Sequence, residues 1–404
     1  MFKRKLWFPI FLFIGVALVL VNCKKPVPKT GFTDKTINIA QWGPQSGPAA
    51  LWGAVARGTA CYFKLINSEG GINGRKINYF LRDDAYQPSR TKAEVRKLVE
   101  GEGIFSFVGG VGTSTGLAVK RYLEENKVPW VSPVAGSIHW TVPMSKYVFS
   151  IYPLYSNEAA TLVNYSIETL KKKKIAIFYQ NDDYGKYALH GAEMELEKRG
   201  MKLIKKVSVE IMDTDLSSQA LKLKESGAET VLMWVLPKQA SIILGATEKI
   251  GYKPQWMTST TLSDMAIMYK ITRGRWKGMI YASFVELPDS MSPLMVKYRN
   301  AHKKFAPHDR WGTFFYAGFL FAQPLVAALK NCGRDLSTEK FIKEMEKLKN
   351  LKTIGGDVTF GPKKRQGTTT IFLSQCLSKT KAKKLTGWVS ANIDQKELIK
   401  RLKQ

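Results

Sequence analysis

The chain is predicted to be an α/β protein built from doubly wound parallel sheets in two lobes, and three observations lead there. Short apolar runs of strand length alternate with amphipathic helical stretches from 37 to 259, the pattern of repeated βα units with helices on both faces of a parallel sheet. The alternation falls into two series that part near Pro153, and roughly ten strands are more than one open sheet readily takes. At 404 residues, 45% of them apolar, the chain has material for two cores.

The first series opens with a strand over 37–40. Val55, Gly58, Tyr62, Leu65 and Ile66 then share one helical face, ended by Gly70 and Gly71. A strand over 77–81 and a helix over 88–100 follow. The stretch 105–137 is the centre of the molecule. Phe105, Phe107 and Val108 form a buried strand, and Gly109, Gly110 and Gly112 let a ligand approach the backbone with no Cβ in the way. Thr113, Ser114 and Thr115 stand at the N-cap of a helix that carries Leu117, Val119, Tyr122 and Leu123. A strand over 128–131 ends in a second turn, 132–137. Two neighbouring strand ends thus aim N–H groups and hydroxyls at one crevice, a seat for a carboxylate or other small anion. A fifth strand covers 147–151.

In the second series a helix carries Ala159, Leu162, Val163, Ile167 and Leu170 on one face. Strands are predicted over 174–179, 203–209, 230–235 and 255–259, with helices over 184–199, 216–225 and 239–250 between them. Another strand, 279–283, leads to a helix with Leu294, Tyr298, Ala301 and Phe305 on one face. The next helix, 313–330, is apolar all round and therefore buried, with Pro324 as a kink site. From 355 to 377 the pattern turns to β, and 392–402 suits a basic closing helix.

Lys3, Arg4 and Lys5 precede an apolar run over 6–21, then Cys23. That run suits a secretory signal better than a membrane span of about 20 residues, an uncleaved anchor being the alternative. Leu20-Val21-Asn22-Cys23 is similar to a bacterial lipobox, which makes Cys23 the lipidated N-terminus, 1–22 the signal peptide and 23–35 a tether; Asn22 departs from the usual small residue. The protein is expected to be exported, membrane-anchored and facing the periplasm or cell exterior. Of the other cysteines, Cys61 lies on an apolar helix face, and Cys332 can pair with Cys376 in an oxidising compartment. No cysteine or histidine cluster has metal-ligand spacing, so neither metal nor cofactor is expected. The net charge of +29 comes from lysines scattered along the chain. With no nucleic-acid signature beside them they read as a solvated surface, and no nucleic-acid partner is expected.

Several pieces, in order, carry a resemblance: Ser46-Gly47-Pro48 with Trp52-Gly53, Ile66-Asn67, and Gly70 to Arg75. Asp83-Asp84 with Pro88, Gly109 to Thr115, Val128 to Ala135 and Tyr184-Gly185 continue it. Over 37–388 the chain resembles the Leu/Ile/Val-binding proteins, type I periplasmic substrate-binding components of bacterial ABC importers. The resemblance implies two lobes joined by three crossovers. Lobe one would be 36–153 and 284–364, and lobe two 154–283 and 365–404. A ligand held between them would close the hinge, and the closed form would dock on an ABC permease. The ligand would be a branched-chain amino acid or a related small carboxylate or amide, and the protein would not be an enzyme.

The resemblance also implies the ligand contacts. Trp52 takes the place of a ring against the ligand, and Thr113 that of a hydroxyl and N–H on its carboxylate. Val134 supplies backbone. Gly136 replaces a frequent threonine, so Ser137 is expected to provide the missing hydroxyl. Tyr184 reaches across from lobe two, Leu236 replaces a tyrosine, and Thr260 replaces the acidic residue that pairs with an amino acid's ammonium. A buried ammonium without a partner is strongly disfavoured; either Asp264, one turn later, substitutes, or the ligand has no α-amine. Tyr86 and Gly112 occupy the places of a frequent family disulfide. Asp83 and Asp84 read as loop caps, and Trp234 as core or as a further flat wall.

Two other readings fit parts of the sequence. Gly112-Thr113-Ser114-Thr115-Gly116 matches the G-x-S-x-G elbow of serine hydrolases, with Ser114 as nucleophile and His139, His190, His302 and His308 as candidate bases. A ligand-sensing receptor domain would use the same two lobes to signal through a separate partner.

Overall fold

In the computed structural model, which describes residues 30–403, the first parallel strands form as β-branched and aromatic residues pair edge to edge. The expected signal peptide, Cys23 and the start of the tether lie outside the described residues. The elements run β1 Thr36–Trp42, α1 Gly53–Ser68, β2 Lys76–Arg82, α2 Pro88–Lys97, β3 Ser106–Val108, α3 Thr113–Glu125, β4 Trp130–Val131 and β5 Val148–Phe149. Then come α4 Tyr155–Asn164, β6 Ile175–Gln180, α5 Asp183–Glu197, β7 Lys205–Val209, α6 Ser217–Glu225, β8 Thr230–Trp234, α7 Pro237–Lys249 and β9 Gln255–Thr258. The last part comprises α8 Met265–Ile271, β10 Ile280–Ser283, α9 Pro293–Phe305, α10 Thr313–Cys332, α11 Thr338–Lys347, β11 Leu351–Thr353, β12 Gly356–Val358, β13 Phe372–Cys376, β14 Ala382–Lys384 and α12 Gln395–Leu402.

Two large sheets result. One is five-stranded, in the order β2-β1-β3-β4-β5, and every pair in it is parallel. The other is seven-stranded, β14-β13-β10-β9-β8-β6-β7, and turns antiparallel where β13 joins β10. The chain passes between the sheets after β5, after β10 and between β12 and β13. The first and third passages are tied together: Ser150 N–H donates to Arg365 O at 2.9 Å and Gly367 N–H to Ser150 O at 2.7 Å.

α9, α10 and α11 return to the five-stranded half. α10 is buried along nearly its whole length and carries Pro324 inside it. It approaches α1 so closely that a Cβ on Gly58 would lie 1.8 Å from Phe315 O; only glycine fits that crossing.

The structure corrects three expectations. The N-cap of α3 is Gly112, with φ of 109°, and Thr113 begins the helix. Cys332 and Cys376 are free and buried in different cores, so they do not form the disulfide. Two helices lack the expected signal: α8, whose cap is Asp264, and α11, whose apolar face is only Phe341, Ile342 and Met345.

Candidate functional site

At the carboxyl ends of β3 and β4 the glycine-rich turn and the second turn, 132–137, meet. Val111 and Val134 form a parallel bridge, and Gly112 N–H donates to Val134 O at 3.2 Å. These turns form one wall of a small cavity between the two sheets. Trp52, Tyr86, Val111, Gly112 and Val134 line it from the five-stranded half, Tyr184, Leu236 and Thr261 from the seven-stranded half, and Tyr152 and Tyr155 from the first passage. A water-sized sphere finds about 20 Å³ for its centre inside, room for about one water.

Each wall residue is fixed by its neighbours. Trp52 ends a short 3₁₀ turn before α1 and lies 4.4 Å, centroid to centroid, from Phe314. Tyr86 packs on Gly112, where a Cβ would stand 2.6 Å from its ring; the two positions that correspond to the family disulfide are thus neighbours here. The Tyr184 hydroxyl lies 2.5 Å from Thr261 Oγ1, and its ring meets Tyr155 edge-on at 5.0 Å. Burial pushes the Tyr152, Tyr155 and Tyr184 phenols far above their usual range.

Trp52, Val134, Tyr184 and Leu236 therefore line one cavity, two from each side. Thr113 is adjacent to it: its side chain is buried, and its hydroxyl has no hydrogen-bond partner among the described residues. Gly136 and Ser137 do not line the cavity. A Cβ at Gly136 would stand 2.3 Å from Pro153 O and 2.7 Å from the Tyr155 ring, so Tyr155 fills the space a threonine needs. Ser137 Oγ donates to the Tyr187 hydroxyl at 3.0 Å and accepts from His139 N–H at 3.2 Å; it is occupied in joining the halves.

Thr260 is also turned away from the cavity, and Asp264 does not replace an acid there. Asp264 caps α8, accepts from Phe314 N–H at 3.2 Å and pairs with Arg310. It lines a second cavity of about 190 Å³ with Arg310 and Trp311. Thr260 instead binds a carboxyl group that sequence reasoning missed, Glu158 in the first turn of α4. Thr260 N–H donates to Glu158 Oε2 at 2.9 Å and its hydroxyl to Oε1 at 2.8 Å. Burial pushes the Glu158 carboxyl up to about 8, against the pull of those two bonds. Tyr152 and Tyr155 were missed too; the only signal was the aromatic pair flanking Pro153.

Other candidates have structural employment. Asp83 accepts from Gln45, Ser46 and Ala85 N–H groups and from the Ser46 hydroxyl; burial pushes its carboxyl up, but these bonds outweigh that and hold it at about 2. Trp234 is fully buried in the core. Ser114 is half-buried in the first turn of α3. His190 pairs with Glu193 and His302 with Asp309 O, and no hydrogen bond joins Ser114 to a histidine among the described residues.

Residues 36–381 match the family described as periplasmic binding protein. The Leu/Ile/Val-binding protein homolog 3 of Brucella melitensis is 31% identical over 201 residues, 50% of this chain and 54% of that protein. The leucine-specific-binding protein of Salmonella typhimurium is 25% identical over 334 residues, 81% of this chain and 86% of that one. Among solved structures, a branched-chain amino acid ABC transporter from Thermus thermophilus with bound valine has a TM-score of 0.81 at 17% identity, covering 92% of this chain and 99% of that one. A fatty acid ABC transporter substrate-binding protein from Thermomonospora curvata has a TM-score of 0.80 at 22% identity, covering 92% and 95%. These structures share its fold.

Proposed function

Because this chain belongs to the Leu/Ile/Val-binding family of type I periplasmic binding proteins, exported substrate-binding proteins and not enzymes, we propose that it is the substrate-binding lipoprotein of an ABC importer. Its ligand is a branched-chain amino acid or a related small carboxylate or amide. Cys23 carries the lipid, and the loaded form delivers the ligand to a membrane permease. The observation that carries the reading is the buried Thr113 hydroxyl, without a hydrogen-bond partner among the described residues, beside a cavity walled from both sheets.

The first-turn N–H groups of α3 have no partner within the helix, so a ligand carboxylate placed there meets Thr113 and a helix N-terminus together. Val134 offers backbone beside it, while Trp52, Tyr184 and Leu236 enclose the rest of the ligand. Gly136, Ser137 and Thr260 act from behind the wall. The rigid units are 36–153 with 284–364 and 154–283 with 365–404. Room for about one water admits no metabolite, so ligand enters when these units part and stabilises the closed arrangement, the only one that offers both walls.

The test is a thermal-shift and calorimetric screen of leucine, isoleucine, valine, aromatic acids and small amides. At least one is expected to raise the melting temperature by several degrees, as ligand far above its Kd does. A screen in which no amino acid, carboxylate or amide moves the transition overturns the reading. Labelled palmitate that enters the wild-type chain and not Cys23→Ser supports the anchor.

A further inference from the structure

One residue in the wall of the interlobe cavity differs from all the others. Among the described residues that line it, every one is buried except Tyr86. Tyr86 is half-buried and is followed at once by exposed residues, 87–90. The surface loop between β2 and α2 therefore dips into the cavity at Tyr86 and nowhere else.

That loop is held under strain. Ala85 and Tyr86 have φ of 49° and 61°, two consecutive residues in the left-handed region that a side chain disfavours. Such strain persists only where the surroundings impose it, and here two carboxylates do so. Asp83 accepts from Ala85 N–H at 2.9 Å, and Asp84 from Tyr86 N–H at 3.1 Å. Asp84 is fully buried and accepts in turn from the Thr91 hydroxyl at 2.8 Å. On the other side Ala85 O rests on Gly47, where a Cβ would stand 2.7 Å from it. The ring of Tyr86 then lies on Gly112, which has no Cβ to displace it. Its hydroxyl end points toward the seven-stranded side: burial, helped by the charge of Asp182 at the cap of α5, pushes the phenol well above its usual range. A backbone strained to hold one ring, at the only point where the lining reaches solvent, is the arrangement of a stopper.

We propose that Tyr86 is the gate residue of the cavity, the side chain that decides what passes between cavity and solvent while the two halves stay together. Parting of the halves admits a ligand, and the Tyr86 ring seals the mouth behind it. A residue without that ring leaves an opening through which small molecules exchange with the halves closed. The part Tyr86 plays in ligand exchange rests on the cavity being the ligand site; its place at the mouth does not.

Alkylation of a thiol inside the cavity tests this with no ligand present. In the full chain, Leu236→Cys puts a thiol on the lining, iodoacetamide is the probe, and mass spectrometry identifies the modified position. With Tyr86 in place the reaction is expected to be slow, because a buried thiol reacts only through openings. Adding Tyr86→Gly removes the ring and leaves a backbone that takes the left-handed conformation without strain. Alkylation about tenfold faster is then expected, as the accessible form becomes the common one. Tyr86→Phe keeps the ring, and its rate is expected to stay within about twofold of the parent. Cys61 and Cys376, buried in the two cores, are expected to keep their own rates, which shows that the fold has not loosened. Equal rates at position 236 with and without the ring overturn the gate. So does a rise at Cys61 and Cys376 that matches the rise at position 236. Should Leu236→Cys fail to fold, Thr261→Cys places a thiol on the same lining and carries the same expectations. A screen in which no amino acid binds leaves these rates as they are, and equal rates here leave ligand binding standing, so the two readings fail separately.

Discussion

The two walls of the cavity are made of different material. On the five-stranded side, beside the rings of Trp52 and Tyr86, the wall contains a stretch of closely packed backbone: Gly112 with its positive φ, the Val111–Val134 bridge, and Gly136 pressed behind them against Pro153 and Tyr155. On the seven-stranded side it is side chain: Tyr184 held by Thr261, and Leu236 at the cap of α7. A backbone wall has one shape and tolerates almost no added atom. A side-chain wall can be refitted one residue at a time. The first suits the part of a ligand that never varies, such as a carboxylate, and the second the part by which ligands differ.

Residue swaps at matched positions test that contrast, and the largest effect is expected at the backbone wall. Gly136→Thr restores the residue that the family resemblance favours, yet its Cβ would press on Pro153 O and the Tyr155 ring. A stability loss of about 3 kcal/mol in urea unfolding is expected, at the upper end for overpacking. Leu236→Tyr, the parallel restoration on the other wall, points a larger side chain at the cavity and is expected to cost about 1 kcal/mol, the lower end for overpacking, while changing which ligands bind. Equal costs for the two changes would erase the distinction between the walls.

The same contrast explains what could be read from the sequence. Backbone walls leave signatures, because positive φ and close approach demand glycine: Gly109, Gly110 and Gly112 marked the first turn unaided, and the alternation of strand and helix marked both sheets. Thr113 was misplaced by one position because Gly112 itself takes the cap. Side-chain walls leave no such mark. Tyr152, Tyr155 and Glu158 enter through a passage whose course depends on how the sheets pack, and one tyrosine in sixteen carries no local sign of its neighbours. Asp264 looked like a ligand acid by spacing. It is a structural tie instead, since it joins the cap of α8 to the start of α10, accepting from Phe314 N–H and pairing with Arg310.

That tie supplies the next test, because it joins the walls without touching the ligand. Asp264→Asn keeps shape and loses the charge that holds Arg310. With Asp264 buried and Arg310 partly exposed, a loss of about 2 kcal/mol is expected, the range for a charged hydrogen bond. Small-angle scattering of the empty protein should show a larger radius of gyration, as the halves part more readily. An unchanged profile would mean that the remaining contacts, Ser137 to Tyr187 among them, hold the halves by themselves.

The smallest expected change in stability is also the most telling about the backbone wall. Thr113→Ala removes a buried hydroxyl that bonds nothing among the described residues, so the empty protein loses no hydrogen bond and is relieved of an unsatisfied group. Its unfolding free energy in urea is expected to stay within about 0.5 kcal/mol of the parent, the range for substitutions that break nothing. Ligand affinity is expected to fall about tenfold, the worth of one charge-assisted hydrogen bond of about 1.4 kcal/mol. The two readouts must separate: a variant that loses stability and affinity together would show that Thr113 shapes the turn, whereas affinity lost alone assigns its hydroxyl to the ligand.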